Sequence, residues 1–92
     1  MARVLNKSNL THDQYMRRGA VYVGRPTPWG NPFALTEYGR DEAIRLYVEW
    51  LDAPDQAELR ERIPTLRGKD LVCWCAPEAC HADVLLERAN RG

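Results

Sequence analysis

Nine consecutive residues, Cys73-Trp-Cys75-Ala-Pro-Glu-Ala-Cys80-His81, hold all three cysteines of the chain and one of its two histidines. A thiolate is a nucleophile and a metal ligand, and an imidazole moves protons near neutral pH, so this stretch is where chemistry is to be sought first. On a strand, alternation puts Cys73 and Cys75 on one face and Trp74 on the other. Cys80 and His81 then fall at the start of a helix, beyond the carboxyl end of that strand. Ligands bind there in open α/β sheets. Unpaired N–H groups of a first helical turn attract anions and lower the pKa of a thiol placed among them. Cys80 is therefore the candidate reactive thiol, and His81 the candidate proton donor or phosphate partner beside it. Two other readings stay open. Reduced cysteines commonly serve as small buried hydrophobes. Alternatively, Cys73, Cys75, Cys80 and His81 form a Cys3His set of the kind that binds zinc. The spacing Cys-x-Cys-x4-Cys-His is not the usual pair of knuckles, and adjacent residues such as Cys80 and His81 project differently from one turn. The expectation is thus no cofactor, with zinc as the alternative.

A second constellation, Gly24-Arg25-Pro-Thr-Pro-Trp29-Gly30-Asn31-Pro32-Phe33, follows an apolar stretch. Gly30 permits a positive φ, and Asn31 tolerates one, although Pro32 pushes Asn31 toward extended backbone. Amides in such a loop can cradle an anion, with Arg25 supplying charge and Trp29 a stacking face. The ligand-binding set expected from both motifs is Arg25, Trp29, Gly30, Asn31 and Cys75. The competing reading is a rigid surface loop whose Trp29 and Phe33 cover the core. Weaker candidates are His12, in a polar stretch that solvent would occupy, and Glu78, a general base for Cys80 or an exposed turn residue. Tyr47 and Trp50 read as core or edge packing. No Ser/His/Asp arrangement, phosphate-binding Walker loop or dinucleotide fingerprint is present.

The elements that must position these residues follow from the pattern of apolar side chains. Residues 2–6 and 20–24 read as strands, the second rich in β-branched and aromatic residues. Residues 7–19 are polar and end in Gly19, a loop with room for one helical turn around Asp13–Arg18. Three prolines and a glycine in the nine residues 25–33 exclude both a helix and a central strand. Ile44, Tyr47, Val48 and Leu51 recur at helical spacing over 41–51, with Asp41 and Glu42 matching the N-terminal dipole. Pro54 suits a helix start, Ala57, Leu59, Ile63 and Leu66 give it an apolar side, and Pro64 should end it. Gly68-Lys69 reads as a turn. Asp70–Cys75 is apolar on both faces and hence a central strand. Residues 80–90 close the chain as a helix with Val84, Leu85 and Ala89 inward. The order β-β-α-α-β-α predicts a small single α/β domain over residues 1–92, with a short, mostly parallel sheet flanked by helices. If the strands are parallel, the two motif loops leave the same edge and face each other.

Composition narrows the partners. Thirteen basic residues balance thirteen acidic ones, which argues against general nucleic-acid binding, since that rests on many phosphate contacts. The basic set is eleven Arg against Lys7 and Lys69. Arg forms the bidentate contacts to phosphate and carboxylate that Lys cannot, although a bias in coding composition produces the same excess. No apolar run approaches the roughly 20 residues that span a bilayer, and residues 1–6 lack the apolar region of a secretory signal. Three cysteines crowded within eight residues do not resemble an extracellular disulfide framework. The expected location is the cytoplasm. Oligomeric state is not legible.

The residues Val23-Gly24-Arg25, Trp29-Gly-Asn-Pro-Phe33 and the run from Gly68 to Leu85 resemble a known family, the small phage and bacterial proteins of domain-of-unknown-function family 4326. The resemblance covers nearly the whole chain. It implies a phage or bacterial source, a bacterial host cytoplasm if phage-encoded, and a role for Gly30, Asn31, Cys75, Cys80 and His81, which match the motifs. It implies no reaction. The chain departs from the family pattern at 7–19, which is longer. More distantly, the Cys-x-Cys and Cys-His ending is similar to that of unknown-function family 488.

Together these observations predict a site for a nucleotide-like or other phosphorylated small molecule, bound, modified or sequestered by the Trp29–Phe33 loop and the Cys73–His81 segment, with Trp29 or Trp74 stacking a base. Whether a reaction occurs there is left open. The alternatives are a zinc-stabilised module acting through protein contacts, and an interaction protein with an ordinary reduced core that uses Trp29, Phe33 and the neighbouring prolines as its contact patch.

Overall fold

The computed structural model describes residues 3–9, 11, 13, 19–25, 27–74, 78 and 80–91. Leu71, Val72 and Cys73 are buried on both sides of the backbone. A strand with no solvated face must lie inside its sheet, and this one does. Strand β3 (Leu71–Cys73) stands between β1 (Val4–Asn6) and β2 (Val21–Tyr22), giving the order β1-β3-β2. Both pairings are parallel. Val4 and Val21 flank Leu71, Leu5 and Tyr22 flank Val72, and Asn6 flanks Cys73. All three strands therefore end at one edge, Asn6 beside Cys73 and Tyr22 one position before them.

Four described helices surround this sheet: α1 (Leu35–Tyr38), α2 (Arg40–Leu51), α3 (Ala57–Arg62) and α4 (His81–Asn90). Along α2 the buried residues are Ala43, Tyr47 and Leu51, and along α4 they are Ala82, Leu85 and Ala89 with His81 at its start. Spacing of three to four residues brings each set onto one stripe. Helix α4 lies on β1 and β3, and α2 packs on α4. Leu71, Leu85, Tyr47, Leu51 and Val23, all fully buried, form the centre of the core. Cutting Leu71 or Leu85 back to Ala would cost about 2–5 kcal/mol, since the cavity cannot collapse between packed elements. Gly39, at φ 80, lets the chain leave α1 and re-enter a helix at once in α2.

The structure departs from the sequence expectations in several places. Helix α1 was not foreseen, because four residues are too few for a periodic pattern. The helix expected from Pro54 begins as a 3-10 turn (Pro54–Gln56) and becomes α-helical only at Ala57. Pro64 does not stop the chain from turning: the α-helix ends at Arg62, and a 3-10 segment (Ile63–Leu66) carries the proline in its first turn, where no N–H is required. Ala57 is exposed, while Leu59, Ile63 and Leu66 are buried as expected. The strand expected over 70–75 ends at Cys73, with Trp74 already in a bend; Cys75, His12 and most of the turn expected around Asp13–Arg18 lie outside the described residues. Among the described residues, no helix is long and apolar enough to cross a membrane.

Candidate functional site

A cleft of about 300 Å³ opens at the carboxyl edge of the sheet. Tyr22, Gly24 and Arg25 enter it from the end of β2, and Cys73 and Trp74 from the end of β3. Asn31 and Phe33 come from the proline-rich loop, Leu35 and Ile44 from α1 and α2, and Cys80 and His81 from the start of α4. Described residues of both motifs line the cleft together, because parallel strands release their following segments at the same edge. The walls are chiefly apolar and aromatic.

Arg25 is the cation of this cleft, and the loop is built around it. Its Nε donates to the carbonyl of Asn31 at 2.8 Å, which leaves the terminal nitrogens of the guanidinium for other partners. Its own carbonyl accepts from the Tyr22 hydroxyl at 3.0 Å. A Cβ on Gly30 would stand 3.1 Å from the backbone N and Cα of Arg25, so only glycine lets the two strands of the loop approach this closely. Gly30 is thus required by contact, not by a positive φ, which it does not adopt. No acidic side chain among the described residues pairs with Arg25.

Asn31 is a pin. Its side-chain amide donates to the carbonyl of Ala43 in α2 at 3.1 Å, and its Oδ1 accepts the Phe33 N–H at 2.9 Å. The Tyr47 hydroxyl adds a second tie from α2, donating to the Trp29 carbonyl at 2.8 Å. The indole of Trp29 points into the core, where it is only 9% exposed, and it is absent from the cleft wall. The expected stacking face is therefore not Trp29. An indole in a small domain contributes more as buried apolar area than as a surface plate. The expected amide cradle is also curtailed, since Gly30 N–H donates to the Thr27 carbonyl and Phe33 N–H to Asn31.

The exposed aromatic face is Trp74, 59% accessible yet held from two sides. Its carbonyl accepts from the Asn6 amide of β1 at 3.1 Å, and its indole N–H donates to the Tyr22 hydroxyl of β2 at 2.9 Å. Tyr22 lies across Gly24, where a Cβ would meet its hydroxyl oxygen at 2.5 Å. Tyr22 was read from sequence only as a strand residue. Its place at the last position of a strand that ends at the ligand-binding edge is the signal that could have marked it.

His81 sits 8% exposed with its Nε2 at 2.7 Å from the Val23 carbonyl. A carbonyl only accepts, so Nε2 carries the proton and Nδ1 keeps its lone pair. Burial, with the nearby Arg25 charge, holds the ring below its usual pKa against the opposing pull of Val23 and Asp83. Tyr47 contacts the ring edge-on at 5.1 Å. A neutral imidazole whose N–H is spent on a backbone carbonyl offers an anion no donor, so the expected phosphate partnership of His81 does not fit this geometry. Its Nδ1 remains a base.

Cys80 precedes α4 with its N–H donating to the Asp83 carboxylate at 2.9 Å, a cap that fixes where the helix begins. Its Sγ lies 3.0 Å from that of Cys73, and both residues are 2% exposed. Glu78 is exposed and pairs with Arg40 at 3.0 Å, which makes it a turn residue tied to α2 rather than a base for Cys80. Cys75 lies outside the described residues. Among the described residues, no three His, Cys, Asp or Glu side chains gather as a metal site would need.

The chain is 30% identical over 93 residues to an uncharacterised 12.4 kDa protein in the nrdA-td intergenic region of Enterobacteria phage T4, a match covering 99% of this chain and 80% of the phage protein. No solved structure matches it. The family model described as Domain of unknown function (DUF4326) matches residues 7–91, nearly the full length, and the chain belongs to that family.

Proposed function

We propose that the cleft binds a small molecule carrying a flat ring and an anionic group, a nucleotide or nucleotide-like phosphorylated compound. The observation that carries this reading is the pairing of a fixed guanidinium with a fixed indole around one apolar cleft. Arg25 is oriented through Nε and keeps its outer nitrogens for a bidentate anion contact. Trp74 is held at both its carbonyl and its indole nitrogen while its ring stays accessible. Stacking on such a ring is worth about 1–3 kcal/mol per base and tolerates any base. Preorganisation of both groups reduces the ordering cost of binding.

Two versions share this site. In one, the protein only sequesters its ligand. In the other, Cys80 and His81 stand at the end of the ligand that reacts. Such a ligand would be met in the cytoplasm, where reduced thiols at Cys73 and Cys80 also fit. The further likeness of the ending to unknown-function family 488 rests on the Cys-x-Cys and Cys-His residues alone and supplies no reaction.

The test is a thermal-shift panel of nucleotides, nucleotide sugars and ADP-ribose. A ligand at one hundred times its Kd adds about 2.7 kcal/mol of stability. Each kcal/mol moves the Tm of a domain this size by about 4–8 °C. The reading requires at least one compound to raise Tm by several degrees, and Arg25→Ala and Trp74→Ala each to abolish the shift. A flat panel, or a shift indifferent to both substitutions, refutes it. Turnover of the bound compound, lost in Cys80→Ser, would select the enzymatic version, and tight binding without turnover the sequestering one.

A further inference from the structure

The proposed ligand leaves one feature of the cleft wall without a use. The sulfur of Cys73, at the end of β3, and that of Cys80, immediately before α4, are 3.0 Å apart. A disulfide bond is about 2.0 Å long, so the two need to close by only ~1 Å. Both residues are 2% exposed and both line the cleft. A small hydroperoxide that enters the cleft meets both residues in its wall.

We propose that Cys73 and Cys80 are an oxidation site, forming a reversible intramolecular disulfide when a small hydroperoxide enters the cleft. The Cys80 sulfur attacks one peroxide oxygen and breaks the O–O bond. Cys80 becomes a sulfenic acid, and the departing oxygen leaves as water (or as an alcohol from an organic hydroperoxide), taking the thiol proton. The Cys73 sulfur then attacks the Cys80 sulfur, the S–S bond forms, and the sulfenic hydroxyl leaves as a second water with the Cys73 proton. Two electrons pass from the two sulfurs to the peroxide. Cys80 is assigned as the attacking thiol because the Asp83 N–H of the first turn of α4 donates to its side chain and fixes the sulfur at the cleft wall. Cys73 is the resolving thiol because it is already within reach, which protects Cys80 from further oxidation. The bond joins the last residue of β3, next to Trp74, to the residue that caps α4. Oxidation therefore reports on, and locks, one wall of the cleft.

The experiment treats the reduced full chain with one equivalent of hydrogen peroxide and follows it by intact mass. Blocking of remaining thiols and cleavage after Glu78 then separates Cys73 from Cys80 unless a disulfide holds them. The expected product has lost two hydrogens, yields a linked pair of peptides, and returns wholly to the starting mass with dithiothreitol. Cys75→Ser should give the same linked pair, and fragmentation of that pair from the parent chain should place the bond at Cys73 and Cys80. Three blocked thiols after treatment, a bond that includes Cys75, a disulfide between chains, or sulfinic acid on Cys80 without a linked pair would each overturn the proposal.

Discussion

Across the β2–β3 pair, the indole N–H of Trp74 donates to the hydroxyl of Tyr22 at 2.9 Å, and that hydroxyl in turn donates to the carbonyl of Arg25. One phenol thereby couples the orientation of the only strongly exposed tryptophan to the loop that aims the guanidinium. Gly24 makes the arrangement possible by leaving space beneath the Tyr22 ring. The cleft is a set of mutually dependent positions, and its behaviour on substitution follows from that dependence.

Arg25→Lys separates charge from geometry. Lysine keeps the positive charge but has no Nε bond to Asn31 and no planar fork. Affinity for whichever nucleotide raises the melting temperature should fall about 10- to 100-fold by titration calorimetry, the worth of a charge-assisted hydrogen bond. Stability should change by no more than about 0.5 kcal/mol, as for other exposed positions.

Asn31→Ala should act on stability first. It removes the buried bond to the Ala43 carbonyl and the bond from Phe33 N–H. The cost should be about 1–3 kcal/mol. In urea this appears as a lower midpoint with the slope unchanged.

Gly24→Ala and Gly68→Ala form a contrasting pair. The first places a Cβ 2.5 Å from the Tyr22 hydroxyl and forces the phenol away from Trp74 and Arg25. The second meets no atom within 4 Å, but its φ of +77 is strained for any side chain. Both should lose about 1–2 kcal/mol, through hydrogen bonds in one case and backbone strain in the other. Only Gly24→Ala should also weaken ligand binding, which the same thermal-shift panel measures.

The pH dependence of stability should carry the mark of His81. Its folded pKa lies below the ordinary 6.5, chiefly because burial disfavours the charged ring. The unfolded chain then binds the proton more readily than the folded one. His81 therefore contributes stability that is complete above about pH 6.5 and declines as pH falls below it toward the folded value. His81→Gln, whose amide N–H can still meet the Val23 carbonyl, should flatten Tm between pH 7 and 5. The carboxyls of Asp52 and Glu42, lowered mainly by their hydrogen bonds to Arg88 and Arg45, act in a separate window below about pH 4. An unchanged slope in His81→Gln would mean that this histidine is not what the acid limb reports.

Much of the fold was legible because it rests on periodicity. Leu71-Val-Cys73, apolar at every position, had to be a central strand, and it has a parallel neighbour on each side. The stripes at Tyr47 and Leu51 and at Leu85 and Ala89 had to face inward. The proline-rich loop has no period, so nothing in its residue order told Trp29 from Trp74. Both were candidates to stack; Trp29 is buried, while Trp74, which follows β3, is the exposed indole.

By itself the sequence determined the three strands and the two longer helices, that β3 lies inside the sheet, and that the Gly-Arg and Cys-His motifs follow strands. It did so because apolar spacing and proline positions act locally, along the chain. Tertiary structure alone decided that Arg25 is aimed by Asn31, that the single N–H of His81 is spent on Val23, and that Cys73 meets Cys80. Those are contacts between groups separated by up to 58 residues. They exist only once parallel pairing has brought the strand ends to one edge.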